Sequence, residues 1–335
     1  MKRTPVRFAL LGILVLSLAS TLTSIAQSTV IDLGTLGGPI GSAYDANAAG
    51  YVVGSSRPAG SWDSRAFLWS AEEGMVDLGT IGGHASSANA INNAGQIAGL
   101  TTYDDTGHVH AFLWTGEEGM VDLGTLGGIV SFAQDINEPG QVVGAADTAS
   151  GDRHAFLWTA RGGMVDLGTL GGANSGAYAI NNPGQVVGYS ETATGEIHAF
   201  LWTRRGGMVD LGTYEGQATV ARDINDPGQV VGMYGSSPFG AFVWTAQEGM
   251  VALDGLGGAS TEAWAVNNAG TVVGSSITED GDMYAVLWQP QGEIAALPSL
   301  GPANDAALGI SPQGWIVGNS KVSETEWHAA LWRRE

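Results

Sequence analysis

The chain repeats itself, and that property constrains its fold more than any other. An Ala-aromatic-Leu-Trp segment ends at Trp69, Trp114, Trp158 and Trp202, and looser copies end at Trp244, Trp288 and Trp332, spaced by 42 to 45 residues. In step with it runs Asn-x-x-Gly-x-Val-Val-Gly or a close variant, from Asn47, Asn92, Asn137, Asn181, Asn225 and Asn267; a seventh copy has Ser311 in the Asn position and ends at Gly318. A third marker, Met-Val-Asp-Leu-Gly-Thr-Leu-Gly-Gly, is clearest at Met120–Gly128 and Met164–Gly172. Three markers in constant order define a unit of about 44 residues written seven times.

One unit reads as four short strands. Ser175-Gly-Ala-Tyr-Ala-Ile (a) is broken by Asn182-Pro183-Gly184, where Pro sets φ and Gly supplies φ > 0. Gln185-Val-Val-Gly-Tyr (b) is followed by a polar turn, then His198–Trp202 (c), an Arg204-Arg-Gly-Gly207 turn and Met208–Gly212 (d). Strands at roughly 10-residue spacing joined by tight turns predict an antiparallel four-stranded sheet. A unit of this length with four strands matches a β-propeller blade; a parallel β-solenoid is the rival, disfavoured by turns that suit hairpins. The phase is informative. The chain opens on a lone d, Thr29–Leu33, and closes on a lone c, Trp327–Trp332. The expected fold is therefore all-β: a seven-bladed β-propeller of four-stranded antiparallel blades, closed by pairing the N-terminal strand with the C-terminal blade, with a innermost and d outermost. Such pairing would remove two exposed sheet edges.

Residues 1–26 differ in composition. Lys2, Arg3 and Arg7 precede an apolar run over 8–19, and Ser24-Ile25-Ala26 offers small residues before Gln27. This layout predicts a cleavable signal peptide and leaves 27–335 as the propeller, secreted or extracellular, or held in the periplasm. The absence of Cys excludes disulfides and cysteine-ligated metals. A net charge of −20 argues against a nucleic acid or an anionic membrane surface as partner. The 52 Gly are repeat punctuation rather than low complexity.

The chain resembles the HAF-repeat family of probable extracellular repeat proteins over about residues 30 to 335. The family's triplet stands here as His110-Ala111-Phe112, His154-Ala155-Phe156 and His198-Ala199-Phe200, with matching Leu-Trp and Gly-Gln-Val-Val-Gly elements. Copies one, five, six and seven depart from it at Arg65, Gly240, Tyr284 and His328-Ala-Ala330. The resemblance implies a secreted repeat protein and brings no catalytic residue.

Each chemical motif has a plainer explanation. His110, His154, His198 and His328 share a strand position, but zinc needs ligands about 2.0–2.1 Å away and equivalent atoms of neighbouring blades lie much farther apart. They are read as residues bonding locally at the start of c. Asp135-Ile-Asn137 and Asp223-Ile-Asn225 superficially match a calcium loop, yet Pro139 and Pro227 occupy its fifth position, and a structural a–b turn is expected. The strand-d carboxylates Asp32, Asp77, Asp122, Asp166 and Asp210 are read as caps of neighbouring turn amides or as groups facing water on the outermost strand. The repeated Trp is read as a core residue.

The turns between b and c vary while the strands repeat. They carry Asp63, Asp104, Asp105, Asp147, Asp152, Glu191, Glu196, Glu279, Asp280, Asp282, Glu324 and Glu326, flanked by Trp62 and Trp327. These form the candidate ligand face, acidic against an opposite face with Arg161, Arg204 and Arg205; Thr278–Asp282 is its best metal candidate. The expected function is a secreted, non-enzymatic binding or structural module whose partner is a protein or glycan, with no cofactor and at most weak Ca2+ binding. The alternatives are a propeller enzyme acting on extracellular polysaccharide, and a calcium-stabilised adhesion module. An enzyme needs a non-repeated cluster of acids, bases or nucleophiles at the axis. Strand a offers mainly Ser, Ala, Tyr and Gly there, with Asp45, Asp135, Arg222 and Asp223 near its end.

Overall fold

The computed structural model describes residues 28–103 and 108–334, so the 1–26 segment, Asp104 and Asp105 lie outside the described residues. Every helix or strand among those described is a strand. The fourth copy illustrates the unit: a is Gly171–Ile180, b Val186–Thr192, c Ile197–Thr203 and d Gly207–Gly212, each antiparallel to the next. Its a–b turn is closed by Gly184 at φ 83°, a value that favours glycine. The Asn181 side-chain oxygen accepts the Gln185 N–H at 2.8 Å and fixes the same turn.

Copies two to six form five separate four-stranded sheets. Copies one and seven share an eight-stranded sheet, joined where Ile40 lies opposite Trp327 in a single parallel pairing. The N-terminal strand Ser28–Gly34 pairs antiparallel with Glu326–Arg334, placing Val30 opposite Trp332. It thus supplies the d position beside the last c. His328 Nδ1 lies 2.9 Å from Asp32, as His110, His154 and His198 lie 2.8–2.9 Å from Asp122, Asp166 and Asp210. The repeated His therefore ties c to d within one sheet.

Seven hydrophobic clusters each draw on two adjacent copies, one of them combining Ala43 and Phe67 of copy one with Val317 and Leu331 of copy seven. The expectation for the repeated Trp needs correction. In copies one to five the fully buried ring is Phe67, Phe112, Phe156, Phe200 or Phe242, and the Trp two residues later is only half-buried. In copies six and seven the Phe position is Val286 or Ala330, and there Trp288 and Trp332 are buried instead. Their indole N–H groups donate to the Asp254 and Pro298 carbonyls at 2.8 and 2.7 Å. One large ring fills each seam, and either residue supplies it. The Gly ending Val-Val-Gly makes room: a Cβ on Gly144 would lie 1.8 Å from the Phe132 carbonyl oxygen and 2.9 Å from the Phe156 ring.

Candidate functional site in the axial channel

Strand a follows one pattern: Ser or Thr in copies two to six (Gly41 in copy one, Asp305 in copy seven), a variable residue, Ala, a second variable residue, then Asp, Ala or Gly. The constant positions build the wall. The Ser175 hydroxyl accepts the Ala155 N–H at 2.9 Å and donates to the Gly168 carbonyl at 2.6 Å, so a is fastened to the preceding copy. The Ala residues are buried. The second variable position faces the centre. Tyr44, Asn89, Gln134, Tyr178, Arg222, Trp264 and Leu308, one from each copy, line a cavity of about 330 Å3. That is within the range of about 300–1,000 Å3 usual for ligand pockets.

One residue deeper, three copies carry Asp and the others Ala or Gly. Asp45, Asp135 and Asp223 each accept the N–H of their own next residue at 2.7–2.8 Å. Their other oxygens accept Ile91, Ile180 and Val266 N–H from the next copy at 2.7–2.9 Å. Each carboxyl thus bridges one seam. The three residues are half-buried and line the channel. Burial raises Asp45 from 3.8 to about 8, with the charges of Asp135 and Asp223 adding to it and two N–H bonds opposing it. Burial, and then the Asp223 charge, raises Asp135 to about 7; burial raises Asp223 to about 6 against its two N–H donors. Burial thus favours the protonated form of all three, most at Asp45 and least at Asp223.

Farther on, at the a–b end, an amide ladder collars the channel. Asn47, Asn92, Asn137, Asn181 and Asn225 each donate a side-chain N–H to the main-chain carbonyl of the equivalent Asn in the next copy at 3.0–3.2 Å. Asn137 is thus committed to the wall, which accounts for the Asp-x-Asn pattern without calcium. The cavity at this end is about 150 Å3.

The acidic b–c turns form no comparable centre. Asp147 pairs with Arg153 at 2.9 Å, Asp152 with Ser150 at 3.0 Å, Glu196 with Thr194 at 3.0 Å and Glu324 with Lys321 at 3.2 Å, all within their own hairpins. Glu326 lies 3.4 Å from Ser323, and the Trp327 ring lies 5.7 Å from Lys321 Nζ. Trp62 is 87% exposed, with the Arg57 guanidinium 6.0 Å from its ring, beside a half-buried Asp63. Glu279, Asp280 and Asp282 are exposed on a turn closed by main-chain bonds. Among the described residues no group of three acids or histidines could hold a metal. Glu191 bonds beyond its own hairpin, accepting from the N–H groups of Ala173 and Asn174 on the neighbouring strand a at 3.2 Å. The residues missed from sequence are Tyr44, Asn89, Gln134, Tyr178, Trp264 and Leu308. Their signal is difference between copies at a position flanked by constant residues.

No family model matches the chain, and no curated protein matches its sequence. Solved structures do. The β-propeller domain of the trilobed protease from Pyrococcus furiosus superposes with a TM-score of 0.61 at 10% identity, over 88% of this chain and 96% of that one. TolB from Acinetobacter baumannii gives 0.52 at 12% identity, over 73% of this chain and 62% of TolB. A puromycin hydrolase gives 0.51 at 12% identity over 84% of this chain, which spans half the hydrolase. These likenesses define the fold: the chain is a β-propeller. Among the described residues no helix is long and apolar enough to cross a membrane.

The expectation of a non-enzymatic module is thereby corrected. It rests on an axis of small residues, whereas the channel brings together unlike side chains and three carboxyls with raised pKa values. The fold is one that a protease and a hydrolase also carry.

Proposed function

We propose that this chain is an exported, seven-bladed propeller enzyme that acts on extracellular polysaccharide through its axial channel. The ring reading is supported by the seven seams and by the pairing of Ser28–Gly34 with Glu326–Arg334. Export is supported by the basic and apolar layout of residues 1–26 and by the likeness to the HAF-repeat family.

The observation that carries the function is the meeting of one non-repeated side chain from every copy above three carboxyls of graded acidity. The aromatic ring of Tyr44 suits a sugar ring, and the amides of Asn89 and Gln134 suit hydroxyls. Glycosidic cleavage needs one carboxyl that gives a proton to the leaving oxygen and one that takes a proton from water. Burial holds Asp45 toward its protonated form more strongly than Asp223, the direction that separates an acid from a base. A reducing-end assay on neutral and acidic polysaccharides tests this. The purified chain should cleave at least one of them, and Asp223→Asn should lower that rate about 100-fold while remaining folded. No cleavage across the panel, or full activity in folded Asp223→Asn, would overturn the reading.

A further inference from the structure

The least accounted-for group in the channel is Arg222. Its guanidinium carbon lies 4.4 Å from the Tyr178 ring centroid and 4.6 Å from that of Trp264, so it is held between two aromatic faces. Its Nε is buried without a hydrogen-bond partner, and its Nη2 meets only the Met233 sulfur, at 3.8 Å. The Trp264 indole N–H beside it is buried and unpartnered as well. A buried donor without an acceptor is costly, and a guanidinium more so. Yet this chain carries 33 acidic residues, and Arg222 forms an ion pair with none of those described. Arg153, by contrast, pairs with Asp147 at 2.9 Å. Stacking on aromatic faces leaves the in-plane edge of a guanidinium free, and that edge matches the oxygens of a planar or tetrahedral anion.

We propose that the axial cavity selects an acidic sugar, whose carboxylate or sulfate group is bound by the terminal amino groups of the Arg222 guanidinium. The sugar ring then lies in the space bordered by Tyr44, Asn89 and Gln134. The anion supplies the charge partner that the protein withholds, and a neutral sugar leaves the guanidinium without one. This rests on the polysaccharide reading and names the substrate class for the same site.

The test is calorimetric titration of the full chain with trigalacturonate, its methyl ester and a sulfated chondroitin disaccharide. The wild type should bind at least one of the two anions more tightly than the ester, by about tenfold or more. Arg222→Gln should remove that preference and Arg222→Lys should keep part of it, each checked by melting temperature. If Arg222→Gln is poorly folded, Arg222→Lys, which keeps the charge but not the planar fork, should still weaken the anion relative to the ester. Equal binding of ester and acids, or an anion preference undiminished in folded Arg222→Gln, would overturn the inference. Cleavage of neutral polysaccharide without anion preference would sink this inference alone; selective anion binding without cleavage would sink the enzyme alone.

Discussion

Replacing Asp135 by Asn tests whether the axial carboxyls carry protons near neutral pH. Burial and the neighbouring Asp223 charge hold the folded-state value at about 7, against 3.8 for the free side chain. Between about pH 4 and 7 the folded chain therefore keeps a proton that the unfolded chain has released. A folded-state value above the unfolded one gives stability that is fully present at low pH and lost as pH rises toward 7. Each retained proton sets a slope of about 1.4 kcal/mol per pH unit. Asp45 and Asp223 act in the same sense up to about pH 8 and 6, so the wild-type slope is steepest near pH 5. Asn cannot titrate. It also presents its NH2 to either the Ile136 or the Ile180 N–H, both of which the carboxyl accepts at 2.7 Å. That mismatch costs about 1–3 kcal/mol at pH 5. Denaturant unfolding followed by Trp fluorescence at pH 5, 6, 7 and 8 should give a variant with a shallower slope. The gap to wild type should narrow as pH rises. Parallel curves would refute the proton at Asp135.

Other substitutions probe the seams. Phe156→Ala and Trp332→Ala, both fully buried, should each cost about 3–5 kcal/mol, whereas half-buried Trp158→Ala should cost less than half as much by denaturant midpoint. Asn137→Ala removes one rung of the amide ladder and the side-chain cap on Gln141 N–H, and should lower stability by about 1–3 kcal/mol without changing the secondary structure seen by circular dichroism. Deleting residues 28–34 strips the d-position partner from Glu326–Arg334, and hydrogen exchange should accelerate in that strand; unchanged protection there would exclude the pairing as a stabilising closure.

The repeats made strand content, strand order and turn positions legible, because Pro-Gly and Asn-Ala-Gly turns and the Val-Val-Gly segments carry local backbone preferences. The Phe-for-Trp exchange was less open to reading. A period fixes which position faces a seam, but which of two rings fills it depends on the volume left when Phe becomes Val286 or Ala330. The His–Asp contacts follow from pairing c with d, which sequence order predicts, though not the 12-residue reach from His154 to Asp166. The axial site was obscured for a different reason. Variation drew attention to the b–c turns, where Asp147, Asp152 and Glu196 spend their charges within single hairpins. The variation that converges lies on strand a, one residue per copy, and only the packing of successive copies side by side brings Tyr178, Arg222 and Trp264 within reach of one another.

The central claim is that chemistry occurs inside the channel, and filling the channel tests it most directly. Leu308 lines the same cavity as Arg222 and is itself half-buried. Leu308→Trp places an indole in a space of about 330 Å3, while Leu308→Ala leaves that space open. Measured on the polysaccharide that the wild type cleaves, Leu308→Trp should lose about 100-fold or more in rate with its fold intact, and Leu308→Ala should retain most of it. A folded Leu308→Trp that cleaves at the wild-type rate would contradict the account.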